Sequence, residues 1–239
     1  MKLYLNKQRA MLAVVALLCF IAVFAARPYL ADINSSVNGW AATIQTGSFT
    51  DIAKLIDLGF DTKVLLIITL PLVGLLLYKG STLQAGLLVG AMGADALLLQ
   101  AAKTFITSPR PTNALITDLD NSFPSGHLTS TIVFIGMLTY LAWQNRKTIH
   151  KLAIAAVGPA LIIIVGFDRI YLNMHWLSDI LAAPFIALFI IAATILILET
   201  IANWHKKRQT APNKGSPNPK TRTLSHRAIT PTAQIPTGD

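Results

Sequence analysis

Residues 180–198 read Ile-Leu-Ala-Ala-Pro-Phe-Ile-Ala-Leu-Phe-Ile-Ile-Ala-Ala-Thr-Ile-Leu-Ile-Leu and carry no charge from end to end. At 1.5 Å per residue such a run reaches about 28 Å, close to the hydrocarbon thickness of a bilayer, so it reads as a transmembrane helix. Five more runs have this character: Ala10–Ala26, Val64–Tyr78, Leu83–Ala102, Leu128–Trp143 and Leu152–Phe167, with Asp95 the one charge among them. The 15- and 16-residue runs are short for a crossing. Lys63, Lys79, Tyr78 and Trp143 at their ends can extend them by snorkelling or sitting at the interface. The pattern predicts an all-α fold, a bundle of six transmembrane helices. Composition agrees: 53% of residues are hydrophobic and 13% charged, with a mean hydropathy of +0.55. A soluble domain carries about a quarter charged residues.

The net charge of +9 is distributed in a way that indicates topology rather than nucleic-acid binding. With the N-terminus in the cytoplasm, the inner junctions hold ten basic residues: Lys2, Lys7, Arg9, Lys79, Arg146, Lys147, Lys151, Lys206, Lys207 and Arg208. The outer segments hold six: Arg27, Lys54, Lys63, Lys103, Arg110 and Arg169. This asymmetry follows the positive-inside rule. It predicts cytoplasmic termini and places residues 103–110, 122–127 and 168–179 on the opposite face. Cys19 is alone, so no intramolecular disulfide is expected. Lys2, Lys7 and Arg9 ahead of an apolar run also fit a cleaved signal peptide, though the run is long for one.

Residues 28–62 form the longest stretch between runs. Within it Ser48–Gly59 predicts a short interfacial helix, with Ser48, Thr50 or Asp51 as cap, Ile52, Leu55 and Ile56 on one face and Gly59 as stop. It reads as a covering loop or as a lip that guides a headgroup. After Trp204 the chain turns to Lys, Arg, Pro, Thr, Ser and Asn without apolar periodicity. Residues 1–204 therefore read as the membrane domain, and 205–239 as a basic, disordered cytoplasmic tail.

Three segments carry chemistry. Lys103-Thr-Phe-Ile-Thr-Ser-Pro-Arg110-Pro111 ends an apolar run. Its cations are seven apart, nearly two helical turns, but Pro109 and Pro111 take the chain out of a helix near Arg110. On its own the segment reads equally as an interfacial anchor. Ser122-Phe-Pro124-Ser125-Gly126-His127 leads directly into the run Leu128–Trp143. Pro124 and Ser125 suit a helix start, Gly126 lets backbone approach a ligand, and the free N–H groups of a helix N-terminus bind phosphate. Asp168-Arg169-Ile-Tyr-Leu-Asn-Met-His175-Trp-Leu-Ser-Asp179 leads into the last run. His175 and Asp179 are one turn apart, so the carboxylate can accept from Nδ1–H and leave Nε2 as a nucleophile. Two histidines among three cations lack the ligand density of a zinc or magnesium site and suit a bound oxyanion instead. No metal or cofactor is expected. Asp95 lies about 12 Å along a helix from Lys103, which fits a proton path or, more simply, a carboxyl hydrogen-bonded between helices near Gln100 or Thr129–Ser130.

Lys103-x6-Arg110-Pro111, Pro124-Ser125-Gly126-His127 and Arg169-x5-His175-x3-Asp179, in that order over residues 103–179, resemble the three-part motif of the type 2 phosphatidic acid phosphatase superfamily. That superfamily also includes vanadium haloperoxidases and glucose-6-phosphatases. The resemblance implies that His175 attacks phosphorus to form a phosphohistidine, Asp179 orients it, and His127 protonates the leaving oxygen. Lys103, Arg110 and Arg169 would hold the phosphoryl oxygens with Ser125 and the Gly126 N–H, and water would hydrolyse the intermediate. One residue departs from the pattern: the family commonly has serine before the third-segment arginine, and here it is Asp168, which must turn toward a cation or retune the site.

The expected activity is hydrolysis of a lipid phosphate or diphosphate, of the phosphatidate, phosphatidylglycerophosphate or undecaprenyl-diphosphate type, at the outer face of a bacterial inner membrane. The expected partners are the lipid substrate and the bilayer, with no nucleic acid and no protein partner inferable. A phosphotransferase passing the phosphoryl group to an acceptor lipid, and a non-catalytic anion-binding protein, are the alternatives.

Overall fold

The structure, a computed structural model, describes residues 2–145 and 148–210. They form α1 (Lys2–Ala26), a 3-10 turn (Arg27–Leu30), α2 (Ala31–Thr43), α3 (Gly47–Gly59), α4 (Thr62–Tyr78), α5 (Thr82–Phe105), α6 (Gly126–Asn145), α7 (Thr148–Tyr171) and α8 (Leu177–Thr210). Each apolar run of the sequence lies on a helix, as its composition dictates. Four helical stretches, Asn6–Thr43, Thr82–Phe105, Gly126–Trp143 and Leu177–Gln209, are long and apolar enough to cross a membrane. The pair α3–α4, bent by 49°, makes a fifth when taken as one span. Six crossings are therefore not reached by length and composition alone. At 17 residues α4 spans about 25 Å and falls short without the helix before it.

Three local features differ from expectation. Between α1 and α4 lie two helices rather than one, because Ala31–Thr43 is helical without an apolar stripe. α3 begins at Gly47, and Thr50, an expected cap, instead meets the Tyr171 hydroxyl at 3.2 Å. The basic segment His205–Arg208 continues α8, which runs to Thr210, so the helix extends past the expected boundary at 204. The remainder of the expected tail, 211–239, lies outside the described residues.

The core is built from small and branched side chains at helical spacing. Leu87, Leu88, Ala91 and Met92 of α5 pack with Leu128, Ile132, Val133, Met137 and Leu141 of α6. Val165 of α7 and Ala183, Ile186, Ala187 and Ile190 of α8 complete the cluster. Opposite it, Met11, Leu12, Val14, Val15, Leu18 and Ile21 of α1 face outward, the surface that lipid rather than water stabilises. Arg9 of α1 pairs with Glu199 of α8 and donates to the Tyr140 hydroxyl at 3.3 Å. At α4's end, Gly80 adopts φ +71° while Ser81 N–H donates to Leu76 O at 2.9 Å, a left-handed cap that glycine accepts without strain. Pro71, Pro159 and Pro184 sit inside α4, α7 and α8, where neighbouring helices tolerate them.

Antiparallel succession brings the end of α5, the start of α6, the end of α7 and the start of α8 together at one end of the bundle. The α3–α4 junction joins them: Thr62 Oγ1 lies 2.9 Å from Ser130 Oγ.

Candidate active site

Each chemistry-bearing segment sits where a helix begins or ends, and the breaks follow from sequence. α5 stops at Phe105, ahead of Pro109 and Pro111. The loop it enters is stitched by Ser108 N–H to Asn121 Oδ1 (2.8 Å), Ser122 N–H to Ser108 O (2.8 Å) and Asn121 Nδ2 to Lys103 O (2.8 Å). α6 starts at Gly126, and Ser125 O accepts from Thr129 N–H at 3.0 Å, so the first N–H groups of this helix have no partner within it. α7 ends in a turn where Asn173, fully buried, takes φ +52°, a conformation asparagine accepts better than most side chains. That turn delivers His175. α8 begins with Asn34, from α2, clamping Ser178: Asn34 Oδ1 accepts from the Ser178 N–H at 3.0 Å and Nδ2 donates to its hydroxyl at 3.1 Å.

A cavity of about 290 Å³ opens among these ends, lined by Lys103, Arg110, Gly126, His127 and His175 together with Asp61, Thr62, Lys63, Asp118 and Asp120. Five of the eight expected site residues are thus gathered on one surface. His175 is 2% exposed, its Nδ1 lies 3.3 Å from Asp179 Oδ2, and its Nε2 lies 3.4 Å from an Arg110 nitrogen. Asp179 Oδ2 also accepts from the Trp176 N–H at 3.0 Å. Burial, with the charges of Arg110, Arg169, Lys103 and His127 around it, pushes the His175 pKa well below the ordinary imidazole value, so the ring is held neutral. A neutral imidazole with one nitrogen on a carboxylate and the other toward a cationic cavity is able to attack phosphorus. A methyl group at Gly126 would stand 3.7 Å from both Lys103 Cε and Thr62 Oγ1, in the space between them.

Asp179, Arg169 and Ser125 lie behind this surface and are fully buried. Ser125 is joined to Asp179 through the backbone, its N–H 3.4 Å from Asp179 O, and its hydroxyl has no hydrogen-bond partner among the described residues. Arg169 is enclosed by carboxylates: Asp168 takes Nε at 3.1 Å and also pairs with Nη2, and Asp57 takes Nη1 at 2.5 Å. Asp168 thus turns toward Arg169 and is not among the residues lining the cavity.

The acidic residues around the site are what sequence reasoning missed. Asp120 pairs with both Lys103 and Arg110, and Asp118 pairs with Arg110 at 2.7 Å. Partial burial would raise the Asp120 pKa, but Lys103 and Arg110 hold it below the usual carboxylate range. Asp57 and Asp61 approach His127 Nε2 at 3.2 and 3.6 Å. No motif spacing marks these aspartates: Asp57 lies on α3, Asp61 at its junction with α4, and Asp118 and Asp120 in the loop between α5 and α6. Asp95, read as hydrogen-bonded between helices, accepts from Ser130 Oγ at 2.6 Å and so lies two hydroxyls from the cavity through Thr62. Among the described residues no group of three or more His, Cys, Asp or Glu is placed to hold a metal ion.

The pattern of the PAP2 superfamily matches residues 84–202. Phosphatidylglycerophosphatase B of Bacillus subtilis (strain 168) is 26% identical over 145 residues, which are 59% of this chain and 68% of that protein. A putative undecaprenyl-diphosphatase of Escherichia coli (strain K12), YbjG, is 34% identical over 62 residues, covering 26% of this chain and 27% of that protein. The crystal structure of a transmembrane PAP2 type phosphatidylglycerolphosphate phosphatase from Bacillus subtilis superposes with a TM-score of 0.72 at 22% identity, over 79% of this chain and 96% of that one. It shares the fold.

Proposed function

The chain belongs to the PAP2 superfamily as a membrane phosphatase, and from that premise we propose that it hydrolyses a lipid phosphate or diphosphate through a phosphohistidine at His175. The observation that carries this reading is the convergence of His175, paired to Asp179, with His127, Lys103 and Arg110 on one cavity at the end of an apolar bundle.

In this mechanism Nε2 of His175 attacks phosphorus, the bond to the leaving oxygen breaks, and His127 gives that oxygen a proton. Lys103, Arg110 and the N–H of Gly126 hold the phosphoryl oxygens as charge spreads over them. Asp179 fixes the ring and stabilises the cation that forms. Water, deprotonated by His127, then attacks the phosphohistidine and releases phosphate. Arg169 and Ser125 act from behind: Arg169 contributes positive charge felt at His175, and Ser125 shapes the start of α6.

The positive-inside asymmetry supports six crossings, cytoplasmic termini, and a site at the outer face of an inner membrane. Residues 1–204 then form the membrane phosphatase domain and the chain beyond them a basic cytoplasmic segment. A lipid substrate suits this architecture because a second, apolar cavity of about 470 Å³ lies between α3 and α7. It is lined by Phe49, Ile52, Ile163 and Phe167 and reaches Asp168, beside Arg169. An acyl or prenyl chain fits such walls, leaving its phosphate at the helix ends.

The test is phosphate release by purified protein in detergent and EDTA from phosphatidate, phosphatidylglycerophosphate, undecaprenyl diphosphate and glucose 6-phosphate. Release from a lipid, abolished by His175→Ala together with the trapped phosphoenzyme, is the expected result. No release, or release that survives His175→Ala, refutes the proposal.

A further inference from the structure

We propose that Asp57, on α3, is a positioning residue for His127, so that the site contains two histidine–carboxylate pairs, one for each chemical role. The inference rests on the phosphatase reading above.

One oxygen of Asp57 makes both contacts: Oδ1 lies 2.5 Å from Arg169 Nη1 and 3.2 Å from His127 Nε2. The distance to His127 is close to the 3.3 Å between His175 Nδ1 and Asp179 Oδ2, although the Asp179 contact has hydrogen-bond geometry and the Asp57 contact is an ion-pair approach only. Asp57 belongs to none of the three motif segments, precedes the family match at 84–202, and comes from a helix the sequence presents as a covering element.

α3 is nevertheless fixed to the catalytic end of α7. The Thr46 N–H donates to the Tyr171 hydroxyl at 2.9 Å, that hydroxyl meets Thr50 Oγ1 at 3.2 Å, and Gln45 Nε2 donates to Tyr171 O at 2.7 Å. Tyr171 is two residues from Arg169, so the helix end that supplies the arginine also holds the helix that supplies its carboxylate. The far end of α3 is held as well, since Thr62, just beyond it, meets the Ser130 hydroxyl of α6 at 2.9 Å. Asp57 cannot drift from His127 without breaking these ties.

The chemistry follows from the contact. When Nε2 of His175 takes the phosphoryl group, the electron pair of the broken P–O bond stays on the leaving oxygen, and His127 supplies the proton. A carboxylate beside one ring nitrogen fixes the ring's tautomer and stabilises its protonated form, leaving the other nitrogen to pass the proton. In the second half-reaction the same nitrogen takes a proton from the attacking water, and the imidazolium again has its counter-ion. Arg169, shared between Asp57 and Asp168, keeps the Asp57 carboxylate in place and has a side chain only 1% exposed.

Leaving groups separate this role from simple structural support. An alkyl alkoxide needs its proton in the transition state and a p-nitrophenolate hardly does, so loss of general-acid positioning damages only the first reaction. The ratio of the two kcat values within one preparation does not depend on the fraction folded. Asp57→Asn is expected to cut kcat on dioctanoyl phosphatidate by about tenfold or more. Its effect on p-nitrophenyl phosphate is expected to stay within about threefold. Asp57→Glu should recover most of the ratio, and Asp57→Asn should add little to His127→Ala. Equal losses on both substrates, full additivity with His127→Ala, or a lowered KM at unchanged kcat would overturn the assignment while leaving the phosphatase reading standing. A wild-type protein that releases no phosphate, or a His175→Ala variant as active as wild type, overturns the phosphatase reading and this one with it.

Discussion

Asp120→Asn should tighten substrate binding. In the free protein the Asp120 carboxylate pairs with both Lys103 and Arg110, the place that the phosphoryl oxygens need. Its side chain is 41% exposed, against 15% for Lys103 and 9% for Arg110. Exposed pairs contribute about 0.2–1 kcal/mol each, so displacing this carboxylate costs about 0.5–2 kcal/mol in total. The opposing effect is lost orientation of the cations, and here it is small. Arg110 keeps Met174 O at 2.8 Å, Asp120 O at 3.1 Å and Asp118 at 2.7 Å, and Lys103 keeps Asn121 O at 3.1 Å. Neutralising the side chain therefore removes a competitor without releasing what it touches. KM for a short-chain lipid phosphate and Ki for inorganic phosphate should both fall, by about 2- to 30-fold, with kcat little changed. Because Lys103 and Arg110 hold the Asp120 pKa below the usual range, the effect should persist unchanged from neutral pH to about pH 5. It should shrink in high salt, which screens exposed pairs. A KM that rises in Asp120→Asn would refute the reasoning and make the carboxylate a necessary organiser of the two cations.

The buried, cation-ringed His175 has a depressed pKa, so the neutral nucleophile persists as pH falls through the ordinary imidazole range. The acid limb of phosphoenzyme formation, followed by rapid quench, should lie below about pH 6.5, and a midpoint at or above that value would contradict it. Asn34→Ala removes two buried hydrogen bonds from the start of α8 and leaves the Ser178 N–H without its acceptor. It should cost about 1–3 kcal/mol and lower kcat, measured by thermal unfolding in detergent beside turnover, and an unchanged melting temperature would show that the clamp is idle. Asp168→Ser withdraws a buried carboxylate from Arg169 and leaves Asp57 as its remaining acidic partner. Stability should fall by on the order of 3 kcal/mol while activity per folded molecule is retained. A large loss of activity per active site would instead mean that Asp168 takes part in the chemistry.

What could be read in advance divides along a physical line. Apolar runs announce their helices because hydrophobic burial and membrane residence act residue by residue along one segment, as Ile180–Leu198 and Leu83–Ala102 show. α2 escaped notice because Ala31–Thr43 has no stripe: Asn34 is buried for its hydrogen bonds to Ser178, and Ala41 for its small size. Neither reason leaves a periodic trace. The α8 extension through His205–Arg208 was hidden by the opposite signal, since a cluster of cations reads as solvated chain although Lys and Arg favour helices as much as most residues do.

The site shows the same division more sharply. His175 and Asp179 could be paired in advance because four residues is one helical turn, and the geometry of a single helix start enforces their meeting. Ser125, Gly126 and His127 were legible because they start α6. Asp57 was not, since 112 positions separate it from Arg169 and only the packing of α3 against α7 joins them. Asp118 and Asp120, although 8 and 10 residues from Arg110, lie in a loop with no periodic pattern to mark them. These carboxylates also reverse a conclusion drawn from composition. Three cations, counted alone, describe a site waiting for an anion. With Asp57 and Asp168 on Arg169, and Asp118 and Asp120 on Arg110 and Lys103, each of the three cations in the free site already has a carboxylate partner. A phosphate entering it must exchange partners with a carboxylate instead of filling an empty well. Selectivity then depends on how well a given headgroup matches the displaced carboxylates in charge and spacing, which makes the aspartates, rather than the three cations, the residues to vary when asking which lipid this protein prefers.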